Sequence, residues 1–306
     1  MIELLDVGDR VETGSYGVFA RFRGAIAFAR DAGAGLAVVA GEDKCPGPVQ
    51  VRVRGCDLNA VTSLEVRPDR VILDGVPLGI RRRYHSRLRI GGLDPAVVRR
   101  NLHTFGAALR ESAPARSVVF MSESGTGFEA ALARRFRRGA GLLLAGDLDS
   151  GARALAGLGF GLTPSGDDFL AGVLLAMYAA GVPECDRRRV YDAARSPNVF
   201  SESMLRCAVE GCCIEPAHSL IHAIFEGVEG DVVRHTIRLS AVGASSGSDL
   251  AAGIHSYLGL CYVGQDGILR PSGTRPADQC ANAAQAGYQP AAGCQPAPHK
   301  TSGVVS

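Results

Sequence analysis

The chain changes its hydrophobic period once. Up to about residue 92, apolar positions alternate with polar ones or gather in short runs bounded by Gly, Pro and Asp, as β-strands do. Val49-Gln50-Val51-Arg52-Val53-Arg54 alternates strictly, and Val71-Ile72-Leu73-Asp74-Gly75-Val76-Pro77-Leu78 predicts a hairpin turning at Asp-Gly. Val18-Phe19-Ala20-Arg21-Phe22 and Gly35-Leu36-Ala37-Val38-Val39 are further strand candidates, with one short helix expected at 25–32. Strands of this length and spacing point to a small β-barrel or sandwich-like domain over residues 1–92. From Asp94-Pro95, an N-cap followed by a first-turn proline, the period becomes helical, and Val97, Val98, Leu102, Phe105 and Leu109 share one face. Helical patterns recur at 128–138, 149–156, 168–180, 186–194, 201–210, 216–226, 232–240 and 249–260. The expected class is α+β, with an all-helical domain over 93–263. The remainder, 264–306, is rich in Ala, Gln, Gly and Pro without apolar periodicity, and its composition predicts disorder.

The most informative stretch is Gly159-Phe160-Gly161-Leu162-Thr163-Pro164-Ser165-Gly166-Asp167-Asp168, which runs into an almost wholly apolar segment. Thr163 is expected as N-cap and Pro164 as the first helical residue. Ser165 and Gly166 keep the first turn narrow enough for a ligand to reach its free N–H groups, while Asp167 and Asp168 sit at the positive end of the helix dipole. A second copy, Ser246-Gly247-Ser248-Asp249-Leu250-Ala251-Ala252-Gly253, repeats Ser-Gly-x-Asp-hydrophobic-x-Ala-Gly. Both copies also read as plain capped helices. As a shared site they would bring their N-termini to one cleft.

The run from Leu155 through Gly172 resembles the signature of the AllH-like family. The resemblance continues through Phe200-Ser201-Glu202-Ser203-Met204-Leu205-Arg206-Cys207-Ala208-Val209-Glu210-Gly211 and Gly243-Ala244-Ser245-Ser246-Gly247-Ser248-Asp249. Ala244 stands where that family often has His, and Pro197-Asn198 where a Thr-Thr pair commonly precedes the Ser block. The resemblance implies one subunit of oxamate carbamoyltransferase, which converts carbamoyl-oxamate and phosphate into oxamate and carbamoyl phosphate in allantoin breakdown. It implies two companions, an FdrA-like subunit and a second subunit, and small anionic substrates. On this reading Asp167, Asp168 and Asp249 are the candidate catalytic residues, and Thr163, Ser165, Gly166, Ser201, Ser245, Ser246 and Gly247 the candidate substrate-binding ones.

Composition narrows the partners. With 33 Lys+Arg against 31 Asp+Glu, the net charge of +2 gives no electrostatic case for nucleic acid or an anionic membrane. The apolar run after Asp168 falls short of the roughly 20 residues that span a bilayer. No basic start and apolar core of a signal peptide is seen at Met1-Ile2-Glu3-Leu4-Leu5-Asp6, and the nine cysteines form no Cys-x-x-Cys pair; a cytoplasmic protein with reduced thiols is expected. Cys207, Cys212 and Cys213 are expected on one helical segment.

Three weaker features have bland alternatives. The basic run Arg81-Arg82-Arg83-Tyr84-His85-Ser86-Arg87-Leu88-Arg89 is a solvated face or an anion contact. His218 and His222, four apart on one helix face, lack a third metal ligand. Gly41 to Pro48 reads as a turn, and the hydroxyl-rich loop 122–127 as a helix cap.

The two aspartates pose a conflict, since a helix N-terminus attracts anions and carboxylates repel them. Three resolutions stand: an Asp caps its own helix, Asp168 and Asp249 hold Mg²⁺, or an Asp accepts hydrogen bonds from a carbamoyl amide. The last is preferred, with no cofactor required. Against a carbamoyltransferase subunit stand a metal-dependent hydrolase using the three aspartates and a non-catalytic assembly subunit.

Overall fold

The alternating apolar positions of the first third build one sheet; the computed structural model describes residues 2–30, 35–91, 94–121 and 127–263 of the protein. Its strands are β1 (Glu3–Gly8), β2 (Gly14–Phe22), β3 (Ala25–Ala29), β4 (Leu36–Gly41), β5 (Gln50–Arg54), β6 (Ser63–Val66), β7 (Arg70–Leu73), β8 (Val76–Gly79) and β9 (Arg83–Tyr84). They lie in the order β8-β7-β6-β2-β3-β4-β5-β1-β9, antiparallel except for β4–β5 and β1–β9. The sheet curls until β8 approaches β1, a half-barrel around Val7, Ile26, Phe28, Val39, Val51, Leu64 and Val71. The predicted hairpin forms between β7 and β8. Asp74 (φ 46°) and Gly75 (φ 81°) take the left-handed conformations that a two-residue turn of matching twist requires.

The helix expected at 25–32 is not formed. Residues 25–29 are β3, paired with β2 on one side and β4 on the other. Its alanines alternate with Ile26 and Phe28, and small side chains suit a strand covered on both sides better than their helix propensity suggests.

Nine α-helices follow among the described residues: α1 (Pro95–Ser112), α2 (Gly127–Leu144), α3 (Leu148–Leu155), α4 (Ser165–Ala179), α5 (Glu184–Ala194), α6 (Val199–Val209), α7 (Glu215–Glu226), α8 (Glu229–Ser240) and α9 (Ser246–Tyr262). Asp94 caps α1 as predicted, accepting from the Ala96 N–H at 2.8 Å. A 3₁₀ turn, Val118–Phe120, sits between α1 and α2. At the centre α4 and α9 pack backbone to backbone. A Cβ on Gly172 would overlap the Leu250 carbonyl oxygen, and one on Gly253 the carbonyl oxygen of Phe169. Every residue of α4 except Tyr178 is buried. No helix among the described residues is long and apolar enough to cross a membrane. The tail from 264 and the loop 122–126 lie outside the described residues.

Sheet and helices are joined by a backbone seam. Arg87 pairs with Cys212 as an isolated bridge, the Leu88 N–H donates to Gly211 O at 2.8 Å, and Cys213 N–H donates to Ser86 O at 3.1 Å. The Tyr84 hydroxyl donates to Cys213 O at 3.0 Å, and the Ser86 hydroxyl to Asp9 at 2.6 Å. Cys207 belongs to α6, whereas Cys212 and Cys213 follow it. Gly211, at φ 74°, turns the chain out of the helix, so the three cysteines do not share one helical segment.

Candidate functional site

The start of α4 differs from the expected one in its cap. Pro164 is the N-cap and Ser165 the first helical residue, because the extended proline (ψ 145°) lends its carbonyl to the N–H groups of Asp167 and Asp168 at 2.8 and 3.1 Å. Thr163, displaced outward, donates its hydroxyl to Asp168 Oδ2 at 3.2 Å. Gly166 faces the protein and not a ligand. Its N–H donates to Leu158 O at 2.7 Å, and a Cβ there would overlap Leu155 O. The glycine permits close packing of α3 against α4.

The α9 start repeats this geometry. Gly247 N–H donates to Val242 O at 3.0 Å, and a Cβ on Gly247 would overlap Leu239 O at the end of α8. The two starts meet: Thr163 Oγ1 and Ser246 Oγ are 3.1 Å apart.

Three buried carboxyls lie around this meeting point, with different surroundings. Asp167, fully buried, accepts from the Gly157 N–H at 2.7 Å through Oδ1. Asp249, also fully buried, accepts at Oδ1 from Ser117 Oγ at 2.7 Å and from the Val118 N–H at 2.8 Å. Burial raises its pKa, and these donors, with the more distant Ser165 and Ser245 hydroxyls, pull it back. Asp168 is 2% exposed. Burial pushes its carboxyl well above the usual range; the Ser246 and Thr163 hydroxyls oppose this, while the charges of Asp249 and Asp167 add to it. Each raised carboxyl thus leans on the serine that opens the other helix.

Of the three, Asp167 and Asp249 each keep a buried Oδ2 without a partner among the described residues, while Asp168 lines a cavity. This space of about 240 Å³ lies between the β4–β5 end of the sheet and helices α4, α6 and α9. Leu36, Val38, Val49, Leu175, Met204 and Leu250 form apolar walls, and Thr163, Asp168, Ser246 and Gly247 contribute from the two helix starts. Of the remaining candidates, Ser165, Gly166, Ser201 and Ser245 are not in the lining. Ser201 is fully buried behind it, with its N–H on the Asn198 cap.

Residues 155–258 match the AllH family model. The family is described as oxamate carbamoyltransferase subunit AllH. The AllH-matched segment contains both Ser-Gly-x-Asp starts and the helical wall of the cavity, and it leaves the sheet outside. No solved structure matches the chain.

Sequence reasoning missed two polar groups of the lining. Ser203 is 5% exposed and its hydroxyl has no partner among the described residues; Gln50 Oε1 is likewise buried and unpartnered. Ser203 stood two residues from the expected Ser201, and Gln50 comes from a strand far away in sequence. Cys207, Cys212 and Cys213 also line the cavity. Burial pushes Cys207 up to about 12 and Cys213 upward too, which disfavours their thiolates. The arginines of the 81–89 run are exposed and do not line the cavity. Among the described residues no group of three or more His, Cys, Asp or Glu is placed to hold a metal ion; His218 and His222 lie 4.7 Å apart between ring centroids, and His222 Nδ1 is 3.7 Å from Glu226.

Proposed function

We propose that this chain is a subunit of a carbamoyltransferase of the oxamate carbamoyltransferase kind, and that the cavity beside Asp168 is its share of the substrate site. The observation that carries this reading is the meeting of both Ser-Gly-x-Asp starts, inside the AllH-matched segment, at one end of a cavity. Carbamoyl transfer needs the carbamoyl carbonyl polarised and its nitrogen oriented. Burial of Asp168 favours its protonated form, and a protonated carboxyl offers an O–H donor and a carbonyl acceptor side by side, which matches the acceptor and donor of an amide. The same shift eases the conflict posed by an acidic residue at an anion-attracting helix start, since the protonated form of Asp168 carries no charge.

In this reading Asp168 is the catalytic group, with Thr163 and Ser246 orienting it, while Asp167 and Asp249 hold loops in place. No histidine lines the cavity, so a nucleophile–base pair is not built there. That supports a shared site in which an FdrA-like companion and a second subunit handle the carbamoyl phosphate and oxamate anions in the cytoplasm.

The test is formation of carbamoyl phosphate from carbamoyl-oxamate and phosphate, by this chain alone and with both companions. Activity only in the three-component mixture, lost in Asp168→Asn with the complex still assembled, is the expected result. Full activity in Asp168→Asn, or none in any mixture despite a stable complex, would defeat the proposal. An assembly role is the second reading, favoured by the internal donors that occupy Asp167 and Asp249; it predicts that Asp168→Asn leaves the rate unchanged.

A further inference from the structure

The most exposed aromatic rings of the described residues meet in one place. Phe160, 72% exposed, lies against Phe128, 65% exposed, with 5.6 Å between ring centroids. Phe160 belongs to the connection before α4, and Phe128 stands in the first turn of α2. Leu162, two residues on, is 49% exposed. The 3₁₀ turn that carries the half-exposed Phe120 is held beside α2, where Arg137 Nη2 donates to Met121 O at 2.8 Å. Single exposed apolar side chains are ordinary on a protein surface, but a stacked pair drawn from two segments marks an interaction surface.

What covers this surface follows from its place and its charge. It is continuous with the mouth of the cavity. Leu162 O accepts from the side chain of Asn198, two residues before Phe200. The Phe200 ring lines the cavity and meets those of Phe19 and Phe22 in β2 at 5.8 and 5.6 Å. Thr163, next to Leu162, is partly exposed and lines the same cavity. The patch thus borders a site that, in the function proposed above, another subunit completes. The charge around it is one-sided. Arg135 lies seven residues from Phe128 on the same face of α2, with Arg134 and Arg138 beside it. All three are exposed and make no ion pair or hydrogen bond among the described residues. Against the four arginines of α2 stands one carboxylate, Glu129. Phenylalanine and arginine are the side chains that protein–protein interfaces enrich.

We infer that Phe128, Phe160 and Leu162 form the docking surface for a companion subunit, whose docked face is an apolar projection bordered by carboxylates. Docking there roofs the mouth of the cavity. The inference rests on the subunit reading above and adds where the second chain sits and what chemistry it presents.

Sedimentation velocity of the full chain with each companion, followed by carbamoyl phosphate formation in the three-component mixture, tests this. Phe160→Ser and Phe128→Ser should each weaken binding of one companion at least about tenfold, as loss of an aromatic anchor does. Arg135→Glu should weaken it several-fold and flatten its dependence on salt. Val228→Ser, which replaces an equally exposed apolar residue before α8, should leave it unchanged. None of these residues lines the cavity, so a higher companion concentration should restore the wild-type rate to Phe160→Ser but not to Asp168→Asn. An equal loss in Val228→Ser, or self-association of the chain through the two phenylalanines, would overturn the inference. Wild-type assembly by the folded Phe128→Ser/Phe160→Ser double variant would overturn it and leave the subunit reading standing. Assembly lost in the double variant, with no transfer by the wild type in any mixture, would uphold the docking surface and defeat the transferase reading. A wild-type chain that binds neither companion would defeat both.

Discussion

Asp168 and Asp249 occupy the same turn of equivalent helices, yet one holds a structure together and the other faces open space. Their own sequences barely differ; their neighbours do. Six residues, 159–164, separate Leu158 from Ser165 in the first copy, and only three, 243–245, separate Val242 from Ser246 in the second. The longer connection carries Phe160, 72% exposed, and ties Leu162 O to the Asn198 side chain at 2.6 Å, which leaves Thr163 over Asp168. The shorter one leaves Asp249 to the 3₁₀ turn after α1. A repeated motif therefore supplies a repeated scaffold, and its use is decided by segments far away in sequence.

The strongest way to break this comparison is to break the scaffold both copies share. Gly172→Ala and Gly253→Ala each force a Cβ into a carbonyl of the partner helix, and each should cost about 3 kcal/mol or more in urea unfolding. A loss in only one of the two would show that the helix starts are not equivalent. Next comes Asp249→Ala, which strands the Ser117 hydroxyl and Val118 N–H in the core and should cost about 2–3 kcal/mol. Asp168→Ala, whose carboxyl is met by the Thr163 and Ser246 hydroxyls at the edge of the cavity and by no backbone N–H of another element, should cost about 1 kcal/mol or less. Equal costs would erase the distinction between them.

The dependence on pH sharpens the same contrast. A carboxyl whose folded-state pKa lies above its ordinary 3.8 contributes stability that is fully present below that value and is lost as pH rises through the folded-state pKa. Urea midpoints should therefore show Asp168→Asn gaining on the wild type as pH rises from about 4 toward neutrality. His255, buried against Phe105 and Leu102 O, works in the opposite direction. Burial lowers its pKa from 6.5 to about 4, so its contribution is present above 6.5 and lost as pH falls toward 4. That shift corresponds to roughly 3 kcal/mol, and His255→Gln should flatten this acid limb. The smallest expected effect is that of Thr163→Val, about 0.5–1 kcal/mol, since only one hydroxyl contact to Asp168 is removed.

Much of this architecture was legible along the chain because it is local. Asp94-Pro95 marks α1, Asp74-Gly75 marks the hairpin, and apolar spacing places all nine helices. Strand β3 misled because Ala25, Ala27 and Ala29 carry no period of their own and take their state from β2 and β4. Strands β1, β6 and β9 are short or interrupted and form only when the sheet supplies partners. At the site, the chain announced Asp168, Thr163 and Ser246 through the motif. It gave no sign that Ser117 would reach Asp249 across 132 positions, or that Gln50 would complete the cavity from the sheet. His255 was hidden inside an apolar helix, where one imidazole does not disturb the period.

The seam at residues 86–88 and 211–213 gives the molecule a further property. Because each half supplies amide hydrogens to carbonyls of the other, parting them would strand polar backbone in both at once. The sheet and the bundle should consequently melt in a single transition. A guest lodged between them would act as a keystone, slowing amide exchange in strands and helices alike.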